Sequence, residues 1–392
     1  MMAAPGFRRV PMYFARLFMV RIPHKRGKEM IIHMAKDATP EQENALLKRV
    51  EARGFEYQII HGSTGIDVIG VLGDLSGVEE SYFAECDGVD KVIRISKPYK
   101  MVSREFAHDS KTLVKGTKVV KVGETVIGGR ELTIMAGPCS LESSEQVMSI
   151  AEYVAGMGVP IMRGGAYKPR TSPYSFQGMG LRGLELLAQV REHYGLKIVT
   201  EATGLHRHMC EDGNLERNNV LENVISYADI IQVGARNMKS YGFLQELGIL
   251  TKQSKTPILL KRGDSSTLKD FLLAAEYIVA NGNPNVMLCL RGIRTFEDDR
   301  FQRFTPDIGA IAVLKQESNL PVIFDPSHST GYRSRVRAAS LAAVAAGADG
   351  LLIETHNNPA EAMCDGEQCV THDELARIKA QAEKIRSLVY DE

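Results

Sequence analysis

The sequence predicts an α/β protein in which a (β/α)8 TIM barrel follows a small ferredoxin-like βαββαβ domain. Three observations predict this. The 392 residues exceed the size at which one hydrophobic core usually stops growing, so a large unit and a small one are expected. Between Met30 and Lys100, short apolar runs alternate with two helical segments in the order strand, helix, strand, strand, helix, strand. From Leu132 onward eight apolar runs, each bounded by turn residues, alternate with helical segments, which is the pattern of a closed parallel barrel.

In the small domain, Ile31 and Ile32 open the first strand. Thr39-Pro40 then supplies an N-cap and N1 pair, with Gln42 placed to complete a capping box. Leu46, Leu47 and Val50 give this helix an apolar face, and Gly54 stands where a glycine ends a helix. Strands at Tyr57–His61 and Val68–Leu72 flank a glycine-rich turn, a second helix is expected over Val78–Cys86, and Lys91–Ile95 closes the unit. Residues 101–131 read as a polar connector with a β-hairpin around Gly123-Glu124.

The barrel is expected over residues 132–392. Its strands fall at Leu132–Ala136, Val159–Met162, Lys197–Thr200, Ile230–Val233, Pro257–Leu260, Val286–Leu290, Pro321–Phe324 and Gly350–Ile353. The segment Gly204–Tyr227 is longer than a normal crossover and reads as an excursion. A Thr371-x-x-Glu374 capping box starts the last helix, whose apolar face is Leu375, Ile378, Ala382, Ile385 and Leu388.

Composition excludes several classes of function. Lys plus Arg and Asp plus Glu both number 48, so bulk charge offers nothing to nucleic acid. No apolar run approaches the roughly 18 to 20 residues that span a bilayer. The six cysteines are scattered without a C-x-x-C pair, which fits a cytoplasmic protein rather than a disulfide framework. Residues 1–29 are basic but broken by Arg16 and Arg21 and followed by no small-residue cleavage site, so a disordered leader is expected instead of a targeting peptide.

In a barrel of this kind the chemistry lies where the strands end. Those ends carry a cationic set, Arg163, Lys168, Arg170, Arg236, Lys261, Arg291 and Arg294, in a chain of zero net charge. A ligand with several negative charges, phosphate or carboxylate, is expected. A second set, Cys139, His328, Glu354 and Asp365, follows the first, seventh and eighth strands, and closure of the barrel brings the first and eighth together. From spacing alone these four fit either a site for a divalent first-row metal or a small core thiol beside ordinary hydrogen-bonding groups.

The motifs at these strand ends are SREF from Ser103, AGPCS from Ala136, RGGAYKPRTSPYSFQG from Arg163, VTEA from Val199, QVGARN from Gln232, LLKRG from Leu259, RGIRTFE from Arg291, DPSHS from Asp325 and ETH from Glu354. In these the chain resembles the 3-deoxy-D-arabino-heptulosonate 7-phosphate (DAHP) synthases, in the form with an N-terminal ferredoxin-like regulatory domain. The resemblance runs from about Met30 to the last helix. It implies a metal-dependent aldol-type condensation of phosphoenolpyruvate with erythrose 4-phosphate, the first step of the shikimate pathway to aromatic amino acids. It makes Cys139, His328, Glu354 and Asp365 the ligands of one divalent ion (Mn2+, Fe2+, Co2+ or Zn2+). Arg163, Lys168, Arg236, Lys261 and Arg291 become the phosphoenolpyruvate site, and Arg170, Thr171 and Ser172 the aldose site.

Among those residues Lys168, Cys139 and His328 are expected to be catalytic, with Lys168 a proton donor or an anion clamp. The resemblance also implies an aromatic amino-acid inhibitor bound by the small domain, and a homotetramer. Two alternatives are weighed: a 3-deoxy-D-manno-octulosonate 8-phosphate synthase using arabinose 5-phosphate, and a non-catalytic amino-acid sensor. The first carries an N-R-S-S type segment where this chain has K-P-R-T-S, and the second sits poorly with a full ligand set.

Overall fold

The computed structural model describes residues 29–391, apart from 62–66, 76, 96, 106–112, 171, 173, 205–218 and 298–300. It divides after Ser96 into two compact units. The expected leader lies outside the described residues.

The first unit runs β1 (Glu29–Met34), α1 (Pro40–Glu51), β2 (Glu56–His61), β3 (Asp67–Leu72), α2 (Ser81–Ala84) and β4 (Val89–Ile95). Its sheet has the order β2-β3-β1-β4 with antiparallel pairings throughout, the ferredoxin-like arrangement that the sequence predicts. Helix α1 starts on the expected capping box, Thr39 accepting from the Gln42 backbone while the Gln42 side chain accepts from that of Thr39. Gly54 follows with φ 74°, a conformation that glycine adopts without a Cβ penalty. Helix α2 is much shorter than Val78–Cys86. The segment completes little more than one turn, enough to bury Phe83 among Met30, Ile32, Leu46, Ile69 and Val71.

The second unit opens with a short ladder not anticipated from the sequence, β5 (Leu113–Val114) with β6 (Thr117–Lys118), and then the expected hairpin of β7 (Val120–Val122) and β8 (Thr125–Ile127). The barrel follows in chain order: β9 (Thr133–Gly137), α3 (Ser144–Gly156), β10 (Ile161–Arg163), α4 (Leu181–Tyr194), β11 (Lys197–Ala202), α5 (Val220–Tyr227), β12 (Ile230–Val233) and α6 (Tyr241–Leu250). It continues with β13 (Ile258–Lys261), α7 (Leu268–Ala280), β14 (Val286–Leu290), α8 (Gly309–Glu317), β15 (Val322–Phe324), α9 (Pro326–Thr330), α10 (Arg333–Ala345), β16 (Gly350–Glu354) and α11 (His372–Asp391). Strands β9 to β16 close, β9 pairing in parallel with both β10 and β16.

Most of the expected excursion falls on residues outside the description; what remains ends in α5, capped by the Asn219 side chain. The Thr371–Glu374 box does start α11, the Glu374 carboxylate accepting from the Thr371 backbone at 2.9 Å. Leu375, Ile378 and Ala382 are buried as predicted, but Leu388 is 72% exposed. At that point Arg386 takes the inward position, donating to the carbonyls of Gly129, Arg130 and Ala348.

Two packing shells result. Outward strand residues meet the helices, while inward residues such as Met135, Val199, Leu259, Met287 and Leu352 pack around Val120, Val122 and Ile127 of the hairpin. Lys118, beside the hairpin, donates through its ammonium to Pro284 O at 2.7 Å, just before β14 begins. The hairpin therefore plugs the N-terminal end of the barrel and leaves the C-terminal end for chemistry.

Asp349, immediately before β16, fastens this lower end. Its buried carboxylate accepts from Lys315 of α8 at 2.8 and 2.9 Å, from Arg386 of α11 at 3.4 Å and from the Val322 backbone at 2.8 Å. Removing it strands two cations against a buried wall. Asp349→Ala should therefore cost about 3 to 5 kcal/mol of stability, read as a lower urea midpoint with an unchanged slope; a loss below about 1 kcal/mol would mean that water solvates those cations.

Candidate active site

The site begins with a glycine. At Gly137 the backbone has φ 155°, and a Cβ there would stand 2.0 Å from the Arg163 carbonyl, so β9 can turn against β10 only without a side chain. Past that turn Cys139 drops into the barrel mouth, fully buried. Lys168, from the loop after β10, donates to the Cys139 carbonyl at 3.0 Å and to its sulfur at 3.1 Å.

Glu354 ends β16 on the other side of β9. Its Oε1 takes Arg163 Nη1 at 2.7 Å, and Arg163 also donates to Pro138 O at 2.9 Å, so one guanidinium straps three adjacent strands. Gln368 donates to the other carboxylate oxygen, and the Glu354 backbone donates to Ser327 Oγ at 2.9 Å. His328 rises from α9 with Nδ1 against Asp325 Oδ2 at 2.8 Å and Nε2 at 3.5 Å from Glu354 Oε1. Asp325 is itself held by Lys261. Asp365 completes the group from a loop, in the left-handed region at φ 53°, with Oδ2 at 3.2 Å from Cys139 Sγ and Oδ1 at 3.2 Å from Arg303.

One donor atom from each of Cys139, His328, Glu354 and Asp365 lies within 4.8 Å of the others. The protonation of the group follows from its surroundings. Burial lowers the His328 pKa despite the nearby Asp325 and Glu354, which favours a neutral imidazole. Burial opposes charge on Asp325, yet His328 and Lys261 hold its carboxyl well below the usual range. Burial opposes charge on Glu354 as well, yet the charges around it, with Arg163 2.7 Å away, hold its carboxyl below the usual value. The Cys139 thiol is raised well above its ordinary value, first by its contact with Cys364 and then by burial, and it ionises only with a strong cation beside it. A neutral imidazole aimed by a carboxylate, two carboxylates and a thiol suit a divalent first-row ion.

Beside this group lies a cavity of about 430 Å³. Its described walls carry the cations Lys168, Arg170, Arg236, Arg291, Arg294 and Arg303 against the acids Glu201, Asp264 and Asp365, and His328 stands at the junction with the donor group. An excess of positive charge around a concave space is a receptor for anions. Burial pushes the Arg291 guanidinium down to about 10, so it remains charged at neutral pH. Burial opposes charge on Lys168, while negative charge on the sulfurs of Cys139 and Cys364 raises its pKa above the ordinary value.

The residues singled out in the sequence thus divide into three groups. Lys168, Arg170, Arg236, Arg291 and Arg294 do face the cavity. Arg163 and Lys261 instead lie buried outside its described lining, each tied to a carboxylate. Ser172 is exposed and accepts from the Tyr174 backbone at 3.3 Å, and Thr171 lies outside the described residues.

A model of the DAHP synthetase I family matches residues 111–390. The chain belongs to the DAHP synthetase I family. A model of the DAHP synthase ferredoxin-like domain matches residues 30–97. The phospho-2-dehydro-3-deoxyheptonate aldolase of Thermotoga maritima is 42% identical over 356 residues, 91% of this chain and 97% of the relative. A crystal structure of the phospho-2-dehydro-3-deoxyheptonate aldolase (DAHP synthase) from T. maritima is similar with a TM-score of 0.67 and 39% identity, covering 93% of this chain and 98% of that one. A 2-dehydro-3-deoxyphosphooctonate aldolase of Acidithiobacillus ferrooxidans is 32% identical over 251 residues, 59% of this chain and 82% of the relative.

Within this DAHP synthetase I framework further residues surround the site. Cys364, next to Asp365, has its sulfur 3.0 Å from that of Cys139. Gln368 bridges Glu354 and Arg303. His356 touches none of the four donors; it meets Gln146 at 2.9 Å, while Glu142 accepts from the Met363 backbone at 3.0 Å. Glu142 thereby latches the loop that carries Asp365. Glu142→Ala should speed amide exchange in residues 357–366 by roughly 10- to 100-fold, the loss of one hydrogen bond to a charged group, and leave β9 to β16 protected; equal exchange in the variant would remove the latch.

Proposed function

We infer that the protein is a 3-deoxy-7-phosphoheptulonate synthase, condensing phosphoenolpyruvate with D-erythrose 4-phosphate to give DAHP and phosphate. One observation carries the reading: in a chain of this family, a four-donor group opens directly onto a cavity with surplus cations.

In the reaction C3 of phosphoenolpyruvate bonds to the aldehyde carbon of the sugar phosphate, water adds at C2, and phosphate leaves by C–O cleavage. Cys139, His328, Glu354 and Asp365 would hold one divalent ion, whose Lewis acidity stabilises negative charge on the aldehyde oxygen. Arg236, Arg291 and Lys168 bind phosphoenolpyruvate, with Arg163 and Lys261, each paired with a carboxylate, holding the floor beneath it in place. Arg170, with Thr171 and Ser172, receives the aldose phosphate. These cations offset the repulsion between two anionic substrates and hold them in one orientation. Lys168, protonated and beside Cys139, is placed to give its proton to the product alkoxide.

Metal-loaded protein should release phosphate from phosphoenolpyruvate with erythrose 4-phosphate and at least tenfold more slowly with arabinose 5-phosphate. A preference for the five-carbon sugar would reassign it to the octulosonate synthases, and release with neither sugar would favour the sensor reading. Exhaustive chelation should abolish turnover and one added divalent ion restore it; turnover that survives chelation would exclude the metal role.

The small domain, residues 30–96, is read as a regulatory module for an aromatic amino acid, working in a cytoplasmic homotetramer. The break after Ser96 is the place to cut, because Lys97 and Tyr99 already belong to the barrel unit through Glu317, at 2.9 and 2.6 Å. A truncated form of the T. maritima 3-deoxy-D-arabino-heptulosonate 7-phosphate synthase, 39% identical and covering 74% of this chain with a TM-score of 0.62, supports the separability of the barrel. Removing residues 1–96 should leave an active enzyme that neither tyrosine nor phenylalanine inhibits. Full-length protein insensitive to both would end the regulatory reading, and light scattering would test the tetramer.

A further inference from the structure

Among the described residues, most buried cations of the barrel are paired with a carboxylate; Lys168, which donates to Cys139, and Arg291 are not. Arg163 is paired with Glu354, Lys261 with Asp325, Arg262 with Asp307 and Arg386 with Asp349. Arg291 is as buried as these, at 7% exposure, yet among the described residues it donates to no carboxylate and no carbonyl. It lies instead on the face of Phe304, its guanidinium carbon 3.8 Å from the ring centroid. A carboxylate partner would neutralise the cation and occupy two of its donors. A ring face does neither.

The ring itself is held fast. Phe304 is 8% exposed, and its backbone donates to Ser329 O at 3.1 Å. The next residue, Thr305, exchanges two backbone hydrogen bonds with Ile293, at 2.9 and 3.0 Å, so the ring-bearing segment is laced to the loop that carries Arg291. Close approach of the two requires Gly292: it has φ 83°, and a Cβ there would come within 2.8 Å of that of Phe304. A rigid aromatic ring thus stands against the guanidinium, and both line the cavity.

We propose that Phe304 is a positioning residue for the anionic group of phosphoenolpyruvate: its ring fixes Arg291 at the cavity wall while leaving every N–H donor free for the substrate. The proposal rests on the phosphoenolpyruvate role given to Arg291 above. It makes Phe304 matter to one substrate and not the other, and makes the aromatic face, rather than side-chain volume, the property that counts.

The test is a comparison of full-length Phe304→Leu and Phe304→Tyr, with KM for each substrate and kcat taken from initial rates of phosphate release. Phe304→Leu should raise the phosphoenolpyruvate KM roughly 3- to 30-fold, the worth of a cation–π contact, with the erythrose 4-phosphate KM and kcat changed less than twofold. Phe304→Tyr, which keeps the ring, should recover most of the loss. An unchanged phosphoenolpyruvate KM in the leucine variant, an equal loss in both variants, or a loss confined to kcat or to the aldose would overturn the proposal.

Should the leucine variant fail to fold, Phe304→Trp decides, since the chain contains no tryptophan and the new indole is a unique reporter. Phosphoenolpyruvate alone should change its emission saturably and erythrose 4-phosphate alone should not; silence toward phosphoenolpyruvate would overturn the proposal. Wild-type turnover is scored separately. Its absence removes the synthase reading, whereas its presence with an indifferent Phe304→Leu removes only this inference.

Discussion

The ion pair of Arg163 with Glu354 is the contact on which the catalytic end of this barrel depends. Both groups are almost wholly removed from water, so each would be costly alone, and a pair of this kind is retained more readily for the geometry it enforces than for net stability. Here the geometry is the meeting of β10, the Pro138 turn and β16. Once Glu354 is fixed, Ser327, Gln368 and His328 are fixed around it, and through His328 the ion pair of Asp325 with Lys261. Charge is thus stored in layers beneath the cavity, compensated below and left in surplus at the surface that meets substrate.

This layering explains which parts of the molecule could be read from the sequence. The eight strands were legible because a parallel strand buried on both faces must be a short apolar run with turn residues at its ends, and Ile230–Val233 and Val286–Leu290 show that pattern to the residue. The capping boxes of Thr39 and Thr371 were legible because they are local: donor and acceptor lie three residues apart. The four donors were visible as residue types at strand ends, although only closure of the barrel brings Cys139 to Glu354, and a sequence does not display closure directly.

What escaped was set by tertiary contact. Arg163 and Lys261 look like any other strand-end cation in the sequence, yet their partners, Glu354 and Asp325, are 191 and 64 residues away. Leu388 continues a helical period but meets no core, because the long Arg386 side chain reaches the barrel floor in its place. Phe304 stands in an irregular segment and Gln368 in a single 3-10 turn, both too short for periodicity to speak.

Three of the four donors stand on or directly against the barrel strands, and the fourth is carried by a segment seated through Glu142 and Arg303. A pocket built in this way is a vessel with one separate stave. The seating of that one segment, and not only the rigidity of the strands, therefore completes the donor set.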